Sequence, residues 1–253
     1  MRSSVRPDPL PLFALLLALG ACGTENGQGT LPEIGPDPSA TNASPGLGAP
    51  LTYPMLDDQV RHDTLLIQVT FDLGDGTQVM VASHVDEKFE GLRLYRYRVL
   101  PDSQALVLKA SGPAYDSWTM LPTFFRHPHD SAAWIILADL GERQSWGQKV
   151  FRLDAGGFNE LGFLDVALPV SLPEADGGAK LKGIGPVTRV MKDGDDILFR
   201  FQVPVIHLYD DLAGGIDLRM GGDRITYRWS PTLGMVLHVD GKPRRPKKVA
   251  LRS

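Results

Sequence analysis

The chain has 253 residues, of which 43% are hydrophobic, a formal net charge of −4 and one cysteine. An acidic balance excludes a broad phosphate-gripping surface, so nucleic acid is not an expected partner. A single cysteine excludes an intramolecular disulfide framework and a zinc–thiolate cage, and the fold must stand on its apolar core.

The N-terminus carries Arg2 and Arg6, then an apolar run from Leu10 to Leu19, then Gly20-Ala21-Cys22. Charged, apolar and small-residue regions in that order make a secretory signal. The apolar run is only about ten residues and is interrupted by Pro11, whereas a helix crossing a bilayer needs roughly 20 apolar residues, so no stable span is expected. The tetrad Leu19-Gly20-Ala21-Cys22 resembles the lipobox of bacterial lipoproteins. That resemblance implies diacylglyceryl transfer to the Cys22 sulfur, removal of residues 1–21 as a signal peptide, and acylation of the new amino group. In the same family Gly23 after the cysteine implies passage to the outer membrane. Two or more acyl chains anchor a protein stably, which one chain does not.

From Gly23 to Pro50 the chain is rich in Gly, Pro, Ser, Thr and Asn and has no aromatic residue. Such a segment buries too little apolar surface to offset the entropy of ordering, so residues 22–50 read as a flexible, lipid-anchored tether. A coil of that length spans on the order of 30 Å.

Strand patterns then dominate residues 51–241, which are expected to form a single domain. Leu65, Ile67, Val69 and Phe71 alternate with polar residues, Gly74-Asp75-Gly76 follows, and Val79 to Ala82 is apolar, which predicts a hairpin over 64–85. Arg93 to Val99 and Leu106 to Leu108 predict a second hairpin turning at Pro101-Asp102-Ser103. Trp134-Ile135-Ile136-Leu137 is continuously apolar, as in a strand covered on both faces. Val150–Leu153 and Leu161–Leu168 give weaker strand patterns. Ile197 to Val203 and Ile225 to Trp229 alternate cleanly, the second pairing with Met235-Leu237-Val239 through the turn at 230–234. No long amphipathic helix is visible. Many short strands separated by turn residues predict an all-β fold, an antiparallel two-sheet sandwich, with a barrel or propeller-like arrangement as the alternative. Residues 242–253 hold Lys242, Arg244, Arg245, Lys247, Lys248 and Arg252, and read as a basic, disordered tail.

Catalytic signatures are sparse. Gly-x-Ser-x-Gly, Ser-x-x-Lys, His-Glu-x-x-His and P-loop patterns do not occur, and Gly183-x-Gly185 lacks the third glycine of a dinucleotide fingerprint. His127-Pro128-His129-Asp130 is the sharpest cluster, because an extended backbone projects His127 and His129 to the same side, as two imidazoles of a zinc site. It resembles the start of the metallo-β-lactamase His-x-His-x-Asp-His motif, with Asp130 one place early and no histidine after it. Asp86 is the carboxylate that would complete a site for one divalent metal. Asp193-Gly194-Asp195-Asp196 and Tyr209-Asp210-Asp211 admit a calcium reading, though Asp and Gly also suit turns before strands. Trp146, in a polar, turn-like setting, is the candidate aromatic for ligand or partner contact. The stretch Ser145–Leu168 resembles segments of uncharacterised exported bacterial proteins and carries no motif with a transferable role.

These features lead to a non-enzymatic, lipid-anchored protein of the bacterial envelope, on the outer membrane. Its β domain would be presented to an envelope protein or a glycan, with no cofactor. The alternative is a metal-dependent hydrolase built on His127 and His129.

Overall fold

The computed structural model describes residues 47–56, 60–74, 76–87, 91–171, 179–209 and 217–244. The fold is all-β, with helix confined among these residues to short 3-10 turns. Two hairpin meanders come first. One sheet holds β1 (Leu65–Asp72), β2 (Gln78–His84), β3 (Arg93–Val99) and β4 (Ala105–Ala110), and the next holds β5 (Thr119–His127), β6 (Asp130–Gly141), β7 (Ser145–Asp154) and β8 (Gly157–Leu164), each in sequence order. The third sheet takes β9 (Val166–Ser171), β10 (Ala179–Lys182), β13 (Ile206–Leu208) and β14 (Leu218–Met220) in the order β10-β9-β13-β14. The fourth takes β11 (Thr188–Asp193), β12 (Asp196–Phe201), β15 (Ile225–Ser230), β16 (Gly234–Val239) and β17 (Lys242–Pro243). All neighbouring strands are antiparallel and no sheet closes into a barrel.

The sandwich is deeper than two sheets because the second sheet is buried on both faces. One face sets Phe124, Trp134, Ile136, Ala138, Phe151 and Leu153 against Phe71, Val79, Val81 and Leu94 of the first sheet. The other face sets Phe125, Ile135, Leu137 and Val150 against side chains of the third and fourth sheets. This explains the continuous apolar run at Trp134–Leu137: a strand covered on both faces has no side left for polar residues.

The expected hairpins form where the alternation placed them, with Gly74 and Gly76 both at positive φ in the first turn. The stretch Leu161–Leu168 is two elements rather than one. β8 ends at Leu164 and β9 begins at Val166, and between them the Asp165 N–H donates to Tyr227 Oη at 3.0 Å. β5 contradicts its own sequence signal, since Pro122 lies within it. An edge strand tolerates proline because alternate N–H groups point away from the ladder.

Residues 47–56, with residues 60 and 61, form a strap across the sheet edges. Gly48 O accepts from Val190 N at 2.9 Å, Leu51 N donates to Phe124 O at 2.7 Å, Leu56 N donates to Thr70 O at 3.1 Å, and Ala105 N donates to Arg61 O at 2.8 Å. The strap thus touches the edge strands β11, β5, β1 and β4 in turn. Its Tyr53 also accepts a hydrogen bond from Trp134 Nε1 at 2.8 Å and meets Phe124 edge-on. Contact with the fold therefore begins within the segment read as tether. At the other end Lys242 and Pro243 of the basic tail extend the fourth sheet, and residues 245–253 lie outside the described residues.

Candidate functional site

Along β6 the residues Ile135, Leu137 and Asp139 share the face turned to the third and fourth sheets. The first two fill the core, and the third puts a carboxyl group where the pattern calls for another apolar side chain. Its cross-strand neighbours are Leu121 on β5 and Gln148 on β7. A half-buried carboxyl group in such a place is costly unless hydrogen-bonded. Ser145 Oγ donates to Asp139 Oδ1 at 2.5 Å, and Gln148 Nε2 donates to the same oxygen at 2.6 Å. Burial pushes the Asp139 ionisation upward, with these two hydrogen bonds working in the other direction.

Asp139 lies in a cavity of about 350 Å³ that is also lined by Leu121, Ser145, Gln148, Lys180, Lys182 and Pro186. The chain after β10 packs closely against β5 and β6 through glycine. A Cβ on Gly183 would sit 2.7 Å from Asp139 Cγ, and one on Gly185 would sit 2.3 Å from Thr123 Oγ1. Gly183-x-Gly185, too short for a dinucleotide fingerprint, is thus the close approach of one sheet to another.

A second polar layer adjoins the first. The Tyr209 hydroxyl donates to the backbone oxygen of Ser145, and its ring meets the His207 ring edge-on at 4.6 Å between centroids. His207 Nε2 lies 3.1 Å from Asp217 Oδ2. Burial, followed by the charges of Asp217 and Asp139, pushes the Tyr209 phenol up to about 12. Ser145 gives its proton to a carboxylate and His207 is turned to Asp217, so the cluster does not form a serine–histidine pair. It is suited to holding a polar group in place.

No family model matches the chain, and no curated protein matches its sequence.

The residues singled out in sequence lie elsewhere. His127 ends β5, and Pro128-His129 are the two central residues of a tight turn into β6, where His127 pairs with Asp130. The extended backbone expected through His129 is therefore not adopted, because proline also suits the first central position of a turn. The rings still come within 5.9 Å, but His127 Nδ1 accepts the His129 backbone N–H at 3.2 Å, and His129 Nε2 lies 3.1 Å from Asp196 O. Burial, and then Arg152, push the His127 imidazole below its usual value. Asp86 is far more exposed, with 85% of its side chain accessible, and stands 3.8 Å from His84 Nδ1. Among the described residues no three His, Cys, Asp or Glu side chains gather as a metal group, so Asp86 does not complete a site with the two histidines.

Asp193 and Asp196 flank the β11–β12 turn, and both carboxylates are engaged by Arg228, the second at 2.7 Å from Nη1. Asp210, Asp211 and Cys22 lie outside the described residues. Trp146 is 43% exposed and is not among the residues lining the Asp139 cavity, while Trp118 is the more exposed indole at 72%. No helix among the described residues is long and apolar enough to cross a membrane.

Proposed function

We propose that this is a lipid-anchored, non-enzymatic protein of the bacterial envelope, held on the outer membrane through Cys22, whose β domain binds an envelope glycan or protein. The observation that carries the binding role is the Asp139 cavity. A carboxyl group is kept partly buried there, at a cost in stability, and it lines a space of about 350 Å³. The lipobox resemblance, the preceding signal pattern and the Gly/Pro-rich tether support the anchoring role, since together they hold a folded domain near a membrane surface without embedding it.

The test is in-cell crosslinking and mass spectrometry on wild type and Cys22→Ala, with labelled palmitate to follow acylation. Wild type is expected to take up the label, sediment with membranes and crosslink to a specific envelope component. Cys22→Ala is expected to lose all three properties. Equal membrane association of both forms would overturn the anchoring role, and an anchored form that captures nothing would overturn the binding role.

A further inference from the structure

The floor of the Asp139 cavity is rich in acceptors and short of donors. Asp139 Oδ1 takes both available hydrogen bonds, and Oδ2 takes none from the described residues. Gln148 is fully buried and lines the cavity, yet only its NH2 group is used; its Oε1 has no donor. Unmet acceptors at a buried floor call for a partner that brings its own O–H or N–H groups.

The rim separates the possible donors. Lys180, Lys182 and Arg143 line the cavity, against Glu142 as the rim's carboxylate. A predominantly positive rim disfavours an ammonium or guanidinium ligand, which leaves hydroxyl groups as the donors and favours an anionic substituent above them. The walls add Leu121, which is 57% exposed, together with Leu181 and Pro186. Apolar walls suit the C–H face of a sugar ring, and about 350 Å³ lies at the small end of small-molecule sites, roughly 300–1,000 Å³.

From this arrangement we infer that the cavity binds an acidic sugar residue of a glycan. Its hydroxyl groups donate to Asp139 and Gln148, its C–H face lies on Leu121, Leu181 and Pro186, and its acidic group faces Lys180 and Lys182. The inference rests on the binding role proposed above and narrows it to one ligand chemistry.

Calorimetric titration of the full lipidated chain in detergent with three oligosaccharides tests it: acidic tetragalacturonate, neutral maltotetraose and a cationic chitosan tetramer. The acidic chain is expected to bind about tenfold tighter than the neutral one, with the cationic chain weakest. Lys180→Gln/Lys182→Gln changes two exposed side chains, so it is expected to fold normally and to erase the preference for the acidic chain while keeping the neutral affinity. Asp139→Asn is expected to weaken both. Tightest binding of the cationic tetramer, or an acidic preference that survives the double lysine variant, would overturn the inference. Failure of all three sugars to bind would overturn it too. If crosslinking then still captures an envelope protein, the broader binding role stands; if it captures nothing, both fall.

Discussion

Asp139 shows what a single buried charge does to a sheet. Its folded ionisation is raised, chiefly by burial, from an ordinary value of 3.8. A carboxyl group that holds its proton more tightly in the folded than in the unfolded state adds stability below the unfolded value and loses it as the pH climbs through the folded one. Asp139→Asn is therefore expected to gain on wild type as the pH goes from about 3 to about 7, read as a widening difference in Tm by calorimetry across that range. A constant difference would mean that Asp139 titrates normally. The sequence carried a signal for this residue: Ile135 and Leu137 establish the inward register, and the next inward place is Asp139. A continuously apolar stretch conceals that register, because outward and inward residues look alike until a polar one appears. His127 and His129 stood out through residue type and spacing, which say nothing about whether a ring nitrogen is already occupied by a neighbouring N–H.

At the scale of the element, β6 organises the molecule by facing two cores at once. Leu137→Ala is expected to cost about 2–5 kcal/mol, as truncation of a fully buried leucine does. Leu106→Ala, on edge strand β4 and 48% exposed, is expected to stay within about 0.5 kcal/mol. Urea denaturation of the two variants measures the contrast, and similar losses would contradict the central place given to β6. Strands with one covered face were legible from alternation, as in β1, β12 and β15. The elements that escaped are those whose pattern is broken or brief: β5 with its Pro122, β11 with its apolar Val190 and Met191 adjacent rather than alternating, and β10, β13 and β14 with three or four residues each. Such short strands hold their place through the sheets they join, and a sequence window contains too little of them to show a period.

For the whole molecule, the strap of residues 47–56, 60 and 61 closes what the sheets leave open. Edge strands present unpaired N–H and C=O groups that invite pairing with another chain. Hydrogen bonds from the strap occupy such groups on β11, β5, β1 and β4. A chain beginning at His62 is therefore expected to retain its β content by circular dichroism but to self-associate more strongly than the full-length protein in analytical ultracentrifugation. A monomeric truncated form would show that the strap does not protect these edges. The strap also determines how the domain answers a mechanical load. Any pull applied through the chain before Leu47 reaches Gly48, Leu51 and Leu56 before it reaches a sheet. Those backbone contacts are isolated bonds rather than ladders, but Leu51 and Tyr53 between them also pack on the core shared by the first two sheets. A load that strips the strap away therefore also bares Phe124 and Trp134, so the first segment to yield opens an edge of the core it covers.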